Sequence, residues 1–342
     1  MRLLITGGCG FLGSNLAAEA LRRGWELSVF DNLSRVGAQR NRQWLEELGD
    51  FHFVAGDVAD AAAVERCVGE WAPEAIFHLA GQVAMTSSLR DPRRDFLTNA
   101  QGSLNVLEAV RRLAPSCAVL YSSTNKVYGD LEQFDYETTG QRYRCVQRPE
   151  GFDERTPLDF QSPYGCSKGS ADQYMLDYAR MFGLRTLVFR HSSMYGGRQF
   201  ATADQGWIGW FCSEAQALAR GERRELSIAG NGLQVRDVLH ADDMVALYFK
   251  ACERLDVVAG QAFNIGGGMA NSLSLLELFQ HLEQALQVKL PIQHGPVRHS
   301  DQKVFVADLT KARALLDWQP QVSTEAGLAA MLAWTQGLEA SA

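Results

Sequence analysis

Short apolar runs recur along the chain, separated by segments whose apolar residues return every three or four positions. The runs are Leu3–Ile5, Leu27–Phe30, Phe51–Ala55, Ala75–Leu79, Ala118–Tyr121 and Leu184–Phe189. Between them, Phe11 to about Arg23, Ala61–Trp71 and Ala100–Leu113 carry helical spacing. A strand covered on both faces reads as a continuous apolar run, and strands alternating with amphipathic helices build βαβ units. The pattern predicts an α/β fold with a doubly wound parallel sheet. After Tyr195 the alternation is lost. Gly196–Trp210 reads as a loop carrying Arg198, Trp207 and Trp210, followed by a helix, the run Leu226–Ala229 and a turn at Asn231-Gly232. Val235–His240 then leads into a helix, Phe263–Gly267 reads as one more strand with its loop, and Leu273–Leu286 as a helix. The last helix begins near Thr324. Asp130–Gln161, rich in charge and tyrosine, reads as a long loop, of the kind that is functional or poorly ordered. A smaller α+β substrate unit is thus interleaved with the first: 1–193 and 237–264 form the larger unit, 194–236 and 265–342 the smaller.

Composition narrows the partners. With 46% hydrophobic and 21% charged residues among 342, the chain is of ordinary globular type. A net charge of −7 argues against a general nucleic-acid or anionic-membrane surface. There is no signal-peptide pattern and no apolar run of membrane-spanning length, so no membrane partner is expected. Cysteines stand singly at 9, 67, 117, 145, 166, 212 and 252, which reads as reduced thiols in a cytoplasmic protein. No His, Asp or Glu cluster has metal-ligand spacing, so no metal is expected.

The first candidate chemistry lies where the first run ends. Gly8, Gly10 and Gly13 satisfy G-x-G-x-x-G, and Gly7, Gly10 and Gly13 give G-x-x-G-x-x-G. One glycine turns the chain, one admits a pyrophosphate to the backbone, and one packs helix against sheet. Phosphates then rest on the free N–H groups of Phe11, Leu12 and Gly13 at the helix N-terminus. Asp31 closes the next run, near the offset of a carboxylate that binds the adenosine ribose. It favours NAD over NADP; nearby Arg35 is the alternative seat for a 2′-phosphate. The sheet is therefore expected to be Rossmann-like. Ligands bind beyond the carboxyl ends of such strands. There the chain carries Asp31-Asn32, Asp57-Val58 (with Asp57 toward the adenine), Leu79-Ala80-Gly81, Tyr121–Thr124 and Arg190-His191.

The second is Tyr164-Gly-Cys-Ser-Lys168 after Ser162-Pro163. Proline starts a helix, and the four-residue spacing puts Tyr164 and Lys168 on one face. A phenol of pKa about 10 is a poor base at neutral pH; an ammonium beside it, with a positive nicotinamide, favours the phenolate. Thr124 is the candidate hydroxyl that binds the reacting oxygen and passes its proton. Cys166 reads as a small buried thiol, and His191 and His240 as structural histidines. Trp207 and Trp210 read by default as core or oligomer-interface residues.

Taken together, these residues resemble the extended short-chain dehydrogenase/reductase superfamily, and within it the nucleotide-sugar epimerases. The resemblance runs from Met1 to about Trp334. It is carried by Thr6–Gly13, Asp31-Asn32, His78–Gly81, Ser122–Thr124 with Val127-Tyr-Gly129, Tyr164/Lys168 and Val235–Val238. The longer strings Ser122–Asp130, Ser162–Lys168 and Arg190–Phe200 resemble more closely the epimerases of CDP-linked sugars used in bacterial O-antigen synthesis. The resemblance implies a tightly held NAD, a CDP-hexose substrate, inversion at C2 and a homo-oligomer, dimer or tetramer. It adds Asn99, Ser122, Arg190 and Ser193 to the cofactor set. Gln82, Ser123, Thr124, Asn125, Tyr164, Ser193, Arg198 and Gln199 are placed around the sugar. Arg236 and Arg298 match the diphosphate anchors, and Asp301 a ribose contact. Related 4,6-dehydratases carry an Asp-Glu pair directly after the threonine; Asn125 and Lys126 stand here, which disfavours dehydration. Epimerases of the UDP-galactose type usually have an asparagine in the segment matched by Arg190–Gly196, where Ser192-Ser193-Met194 stand. The alternatives are a UDP-sugar 4-epimerase, a net NAD-dependent nucleotide-sugar oxidoreductase, or a redox-silent nucleotide-binding scaffold.

Overall fold

Successive residues of a strand point to opposite faces, and in this chain both faces are apolar. Leu3, Ile5, Leu27, Val29, Phe77 and Leu120 pack on one side, with Leu12, Leu16 and Ala20 of the helix Phe11–Arg22. Leu4, Phe30, Ile76, Val119 and Tyr121 pack on the other, with Val64 and Val68 of the helix Ala61–Trp71 and Val106 and Val110 of Gly102–Leu113. A sheet so covered is the one the apolar runs predict. The chain is described by a computed structural model over residues 1–222, 225–297 and 300–340.

Strands are numbered in chain order. The large sheet has seven parallel strands in the order β12 (Gln261–Ile265), β8 (Arg185–His191), β5 (Ala118–Thr124), β4 (Ala75–His78), β1 (Arg2–Thr6), β2 (Glu26–Asp31) and β3 (His52–Ala55). The order reverses between β1 and β4, and the cleft at that switch point collects the candidate residues. The fold is α/β, a Rossmann-like doubly wound sheet.

The smaller body is built from β11 (Val235–His240), flanked by β9 (Ser193–Tyr195), β13 (Ser272–Ser274) and β15 (Val304–Phe305), and from a β10 (Leu226–Ala229)–β14 (Ile292–Gly295) pair. The helices Trp207–Ala219, Leu275–Leu286 and Thr324–Ala340 cover it, with Ile208, Phe211, Phe279, Leu282 and Met331 at its core. Residues 237–240, expected with the larger unit, lie in β11, where β9 and its neighbours supply the hydrogen-bonding partners. Trp207 and Trp210 stand on a helix, not in a loop, and both pack against the smaller core. The stretch expected as a loop holds an antiparallel hairpin, β6 (Tyr136–Thr139) and β7 (Arg142–Cys145).

Candidate functional site

The glycine turn is built as its spacing requires. Gly7 takes φ +72°, a left-handed conformation that costs glycine little, and a Cβ there would lie 2.7 Å from Ala80 N. At Gly13 a Cβ would run into Gly7 O and Gly8 Cα, so only glycine lets the helix approach the turn. Gly10 differs: its open side meets protein only at Gly7 O, 3.2 Å away. The helix that follows has no side-chain cap, leaving its first-turn N–H groups without intrahelical acceptors. Gly10, Phe11, Leu12 and Gly13 form one wall of the cleft. An uncapped helix end beside an open glycine face is a seat for an anion.

Further along the cleft stands Asp31, nearly buried, its carboxylate accepting from Leu33 N at 2.7 Å and Cys9 N at 2.9 Å. Burial raises its pKa, and the two backbone donors oppose that. Asn32 donates to Asp57 Oδ2 at 2.8 Å, and Asp57, Val58 and Arg35 line the same cleft. A carboxylate has room for about four hydrogen bonds, so Asp31 keeps acceptor capacity for hydroxyls.

Leu79, Ala80, Gly81, Gln82 and Ser122 form the floor. His78 beneath it joins Thr6 Oγ1 (2.7 Å) to Ser103 Oγ (2.9 Å), and burial drives its pKa down to about 3, so it is a neutral brace. Lys168 lies just under Gly81: a Cβ there would be 3.8 Å from Nζ and 3.0 Å from Asn99 Oδ1. Its Nζ donates to Ser122 O at 2.5 Å and sits 4.2 Å from the centre of the Tyr121 ring. Burial lowers the ammonium's pKa to about 7, against the pull of Asp172 and Asp95. Asn99 accepts from Gln82 N and donates to Gln82 O and Ser167 Oγ, so it holds the floor from behind. Asp95, which no motif marked, and Ser167, which the Tyr164–Lys168 string contains without a role, complete that network.

Tyr164 opens the helix Ser162–Phe182 beside the floor. Burial pushes its phenol up to about 12, a hydrogen bond with Thr124 works downward, and Asp95 adds to the rise. The expected lowering by Lys168 is therefore not produced by the chain alone; the ammonium's nearest acceptor is the Ser122 carbonyl. Thr124 also caps the turn after it, accepting from Lys126 N at 3.2 Å. Cys166, expected to be buried, is exposed on the outer face of this helix.

Three expected site residues find partners within the chain. Ser123 Oγ donates to Asp172 Oδ2 at 2.7 Å, and Arg190 clasps the same carboxylate at 2.8 and 2.9 Å. Arg190 also donates to Tyr128 OH at 2.9 Å. Arg190 and Asp172 are 4% and 0% exposed, so this pair lies inside the molecule, away from the cleft. Ser193 accepts from the Trp207 indole at 3.2 Å, and His191 is buried against Tyr248.

The segment Gly197–Gln199 forms a strap from the smaller body to the larger. Asn15 Nδ2 donates to Gly197 O (3.0 Å) and Asn41 Nδ2 to Arg198 O (3.2 Å). The Arg198 guanidinium lies 4.0 Å from the Trp44 ring centre and 4.8 Å from that of Trp334. Arg198 and Gln199 line the cleft opposite Gly10 and Asp31, so the strap passes over it. On the far side, Arg236 pairs with Asp301 at 2.7 Å. Asn125, 8% exposed, donates to Gln302 Oε1 at 2.9 Å. Arg298 lies outside the described residues.

Known proteins share this architecture. The family profile described as GDP-mannose 4,6 dehydratase matches residues 4–331. The chain is 58% identical to a CDP-paratose 2-epimerase of Salmonella typhi, over 99% of this chain and 100% of that one. A UDP-glucose 4-epimerase of Thermotoga maritima, solved with UDP-glucose, superposes with a TM-score of 0.83 at 30% identity, covering 99% and 100% of the two chains. That of Thermus thermophilus, solved with NAD, gives 0.81 at 27% identity, over 98% and 99%.

Proposed function

The chain belongs to the GDP-mannose 4,6 dehydratase family of extended short-chain dehydrogenases/reductases, and on that premise we propose that it is an NAD-dependent isomerase inverting C2 of a CDP-linked hexose. The substrate we assign is CDP-paratose and the product CDP-tyvelose, by its 58% identity with the Salmonella typhi epimerase. What supports this reading is Tyr164 beside Thr124, and Lys168 under Gly81 and Ser122 of the floor, next to a cleft whose wall is the uncapped helix.

The residues fit a nicotinamide dinucleotide. The open face of Gly10 and the N–H groups of Phe11–Gly13 take the pyrophosphate, Asp31 the adenosine ribose, and Asp57 with Asn32 the adenine. Lys168 and Ser122 lie where the nicotinamide ribose would be held. When bound, the dinucleotide supplies a two-electron acceptor that takes hydrogen from the sugar carbon and gives it back, so it is not consumed. Tyr164 takes the proton of the C2 hydroxyl through the hydrogen bond it shares with Thr124, and returns it after the 2-keto sugar has presented its other face. Arg236 anchors the diphosphate while the sugar turns; Asp301, now its ion-pair partner, takes a ribose hydroxyl. Asn125, with an amide where a proton relay would need a carboxyl, does not support elimination of water. We assign the cofactor to the larger unit and the nucleotide sugar to the smaller, with O-antigen sugar synthesis as the setting. Among the described residues no helix is long and apolar enough to cross a membrane.

Incubation of the purified protein with CDP-paratose, CDP-glucose and UDP-glucose, followed by NMR at C2 and C4, tests the assignment. Inversion at C2 of a CDP-sugar without added NAD is expected, and Tyr164→Phe should lower kcat by about 10²-fold or more. Inversion of UDP-glucose at C4 alone would replace this reading with that of a 4-epimerase. Net release of reduced cofactor would replace it with an oxidoreductase.

A further inference from the structure

Directly after Thr124 the chain makes a short 3-10 turn, Asn125–Tyr128. Its first two side chains both reach a segment far along the sequence. Asn125 Nδ2 donates to Gln302 Oε1 at 2.9 Å, and Gln302, with no exposed surface, donates to Gly129 O at 2.7 Å. Lys126 Nζ donates to Ser300 O at 2.7 Å. Ser300 has φ +56°, a left-handed conformation that costs a serine on the order of 1–3 kcal/mol and persists only where its surroundings fix it. Between these two anchored residues stands Asp301, which takes hydrogen bonds from Arg236 (2.7 Å) and Gln234 (3.3 Å).

An ordinary docking contact between two bodies does not need a half-buried ammonium. Burial and the charge of Arg236 depress the pKa of Lys126 to about 8, with Asp301 and Asp130 opposing the shift. A desolvated lysine tolerated at such a position fixes geometry through directed donors, which an apolar contact cannot do. The element so fixed is the one that carries Asp301 beside Arg236, and the element it is fixed to begins at Thr124.

We propose that Asn125 and Lys126 are positioning residues that hold Ser300–Gln302 at a set offset from Thr124, so that the nucleotide gripped by Arg236 and Asp301 delivers C2 of the sugar, and not a neighbouring carbon, to Thr124 and Tyr164. The inference rests on the reading of the preceding subsection. Neighbouring ring carbons are roughly 1.5 Å apart, the length of a C–C single bond. A misplacement of about 1 Å costs on the order of a hundredfold in rate, so an offset held by side-chain bonds is enough to select the carbon.

The test uses the holoenzyme and the variants Lys126→Met, Lys126→Arg and Asn125→Ser. CDP binding is measured by calorimetry, NAD content by absorbance, kcat and KM with CDP-paratose, and the site of inversion by NMR. Lys126→Met should keep its NAD and bind CDP within about twofold of the parent, yet lose about ten- to a hundredfold in kcat. Lys126→Arg, which keeps a donor, should recover most of that loss, and Asn125→Ser should show the same split between kcat and affinity. Unchanged kcat in Lys126→Met and Asn125→Ser overturns the proposal, as does a loss confined to CDP affinity. Should Lys126→Met fail to fold, Asn125→Ser decides. A parent protein that binds CDP but inverts C4 defeats the assigned reaction and this proposal together, whereas C2 inversion unaffected by the variants defeats this proposal alone.

Discussion

Tyr164 and Lys168 carry opposite burdens of the same burial. Loss of water pushes the phenol up to about 12 and pulls the ammonium down to about 7. A base that must ionise grows tenfold per pH unit below its pKa, while the Lys168 cation is lost as pH rises through its own. We therefore expect kcat/KM to climb with slope near one below about pH 7 and flatten above it, where loss of the ammonium offsets gain of phenolate. Because the groups interact, the break belongs to the pair, and Lys168→Met should lower activity and remove it. A pH–rate profile of both proteins checks this. Arg190 makes the contrasting case. Its guanidinium is spent on Asp172 and Tyr128, so Arg190→Met should destabilise the fold by about 3–5 kcal/mol in urea melts, since it strands a buried carboxylate. Below the unfolding transition NAD content should be unchanged, which separates a structural arginine from a cofactor ligand.

At the scale of elements, we expect the strap Gly197–Gln199, whose Arg198 and Gln199 line the cleft, to slow exchange of the cofactor. It belongs to the smaller body but is tied by Asn15 and Asn41 to helices of the larger, with Arg198 held between two indoles. One such hydrogen bond contributes about 1 kcal/mol, so Asn41→Ala should speed NAD release roughly fivefold. Exchange of bound for free cofactor, followed over time, measures it. The strap was not legible in the sequence, because its partners Asn15 and Asn41 lie 182 and 157 positions away and, like Trp44, carry no motif. The hairpin β6–β7 escaped for the same reason: Tyr143 N bonds Leu233 O, Arg142 bonds Glu277, and Lys303 sits over Tyr136 and Tyr143. Local periodicity records only neighbours in sequence. The strands of the large sheet were legible because each is a self-contained apolar run, and the glycine turn because its spacing is itself the geometry. Lys168 was legible as a residue but not in its state, which burial decides.

At the scale of the molecule, several large apolar side chains on the helices of the larger body are exposed. Leu89 and Phe96 are exposed, as are Tyr174 and Phe182 on the helix Ser162–Phe182 and Leu113 at the end of Gly102–Leu113. Exposed apolar side chains of this kind favour contact with another chain, and we propose a second copy of this chain as that partner. Tyr174→Asp should shift the protein toward monomer in light scattering while leaving bound NAD in place. The order of the large sheet has a different consequence. Its outermost neighbours on one side, β8 and β12, are joined through residues 192–260, which hold β9, the helix Trp207–Ala219, β10 and β11 of the smaller body before the chain comes back. On a ribosome the large sheet must therefore wait, one strand short, until the first part of its guest has been synthesised, and the guest in turn is finished only after that last strand has emerged. The two halves cannot be cut apart and inherited separately; they are knitted with a single thread.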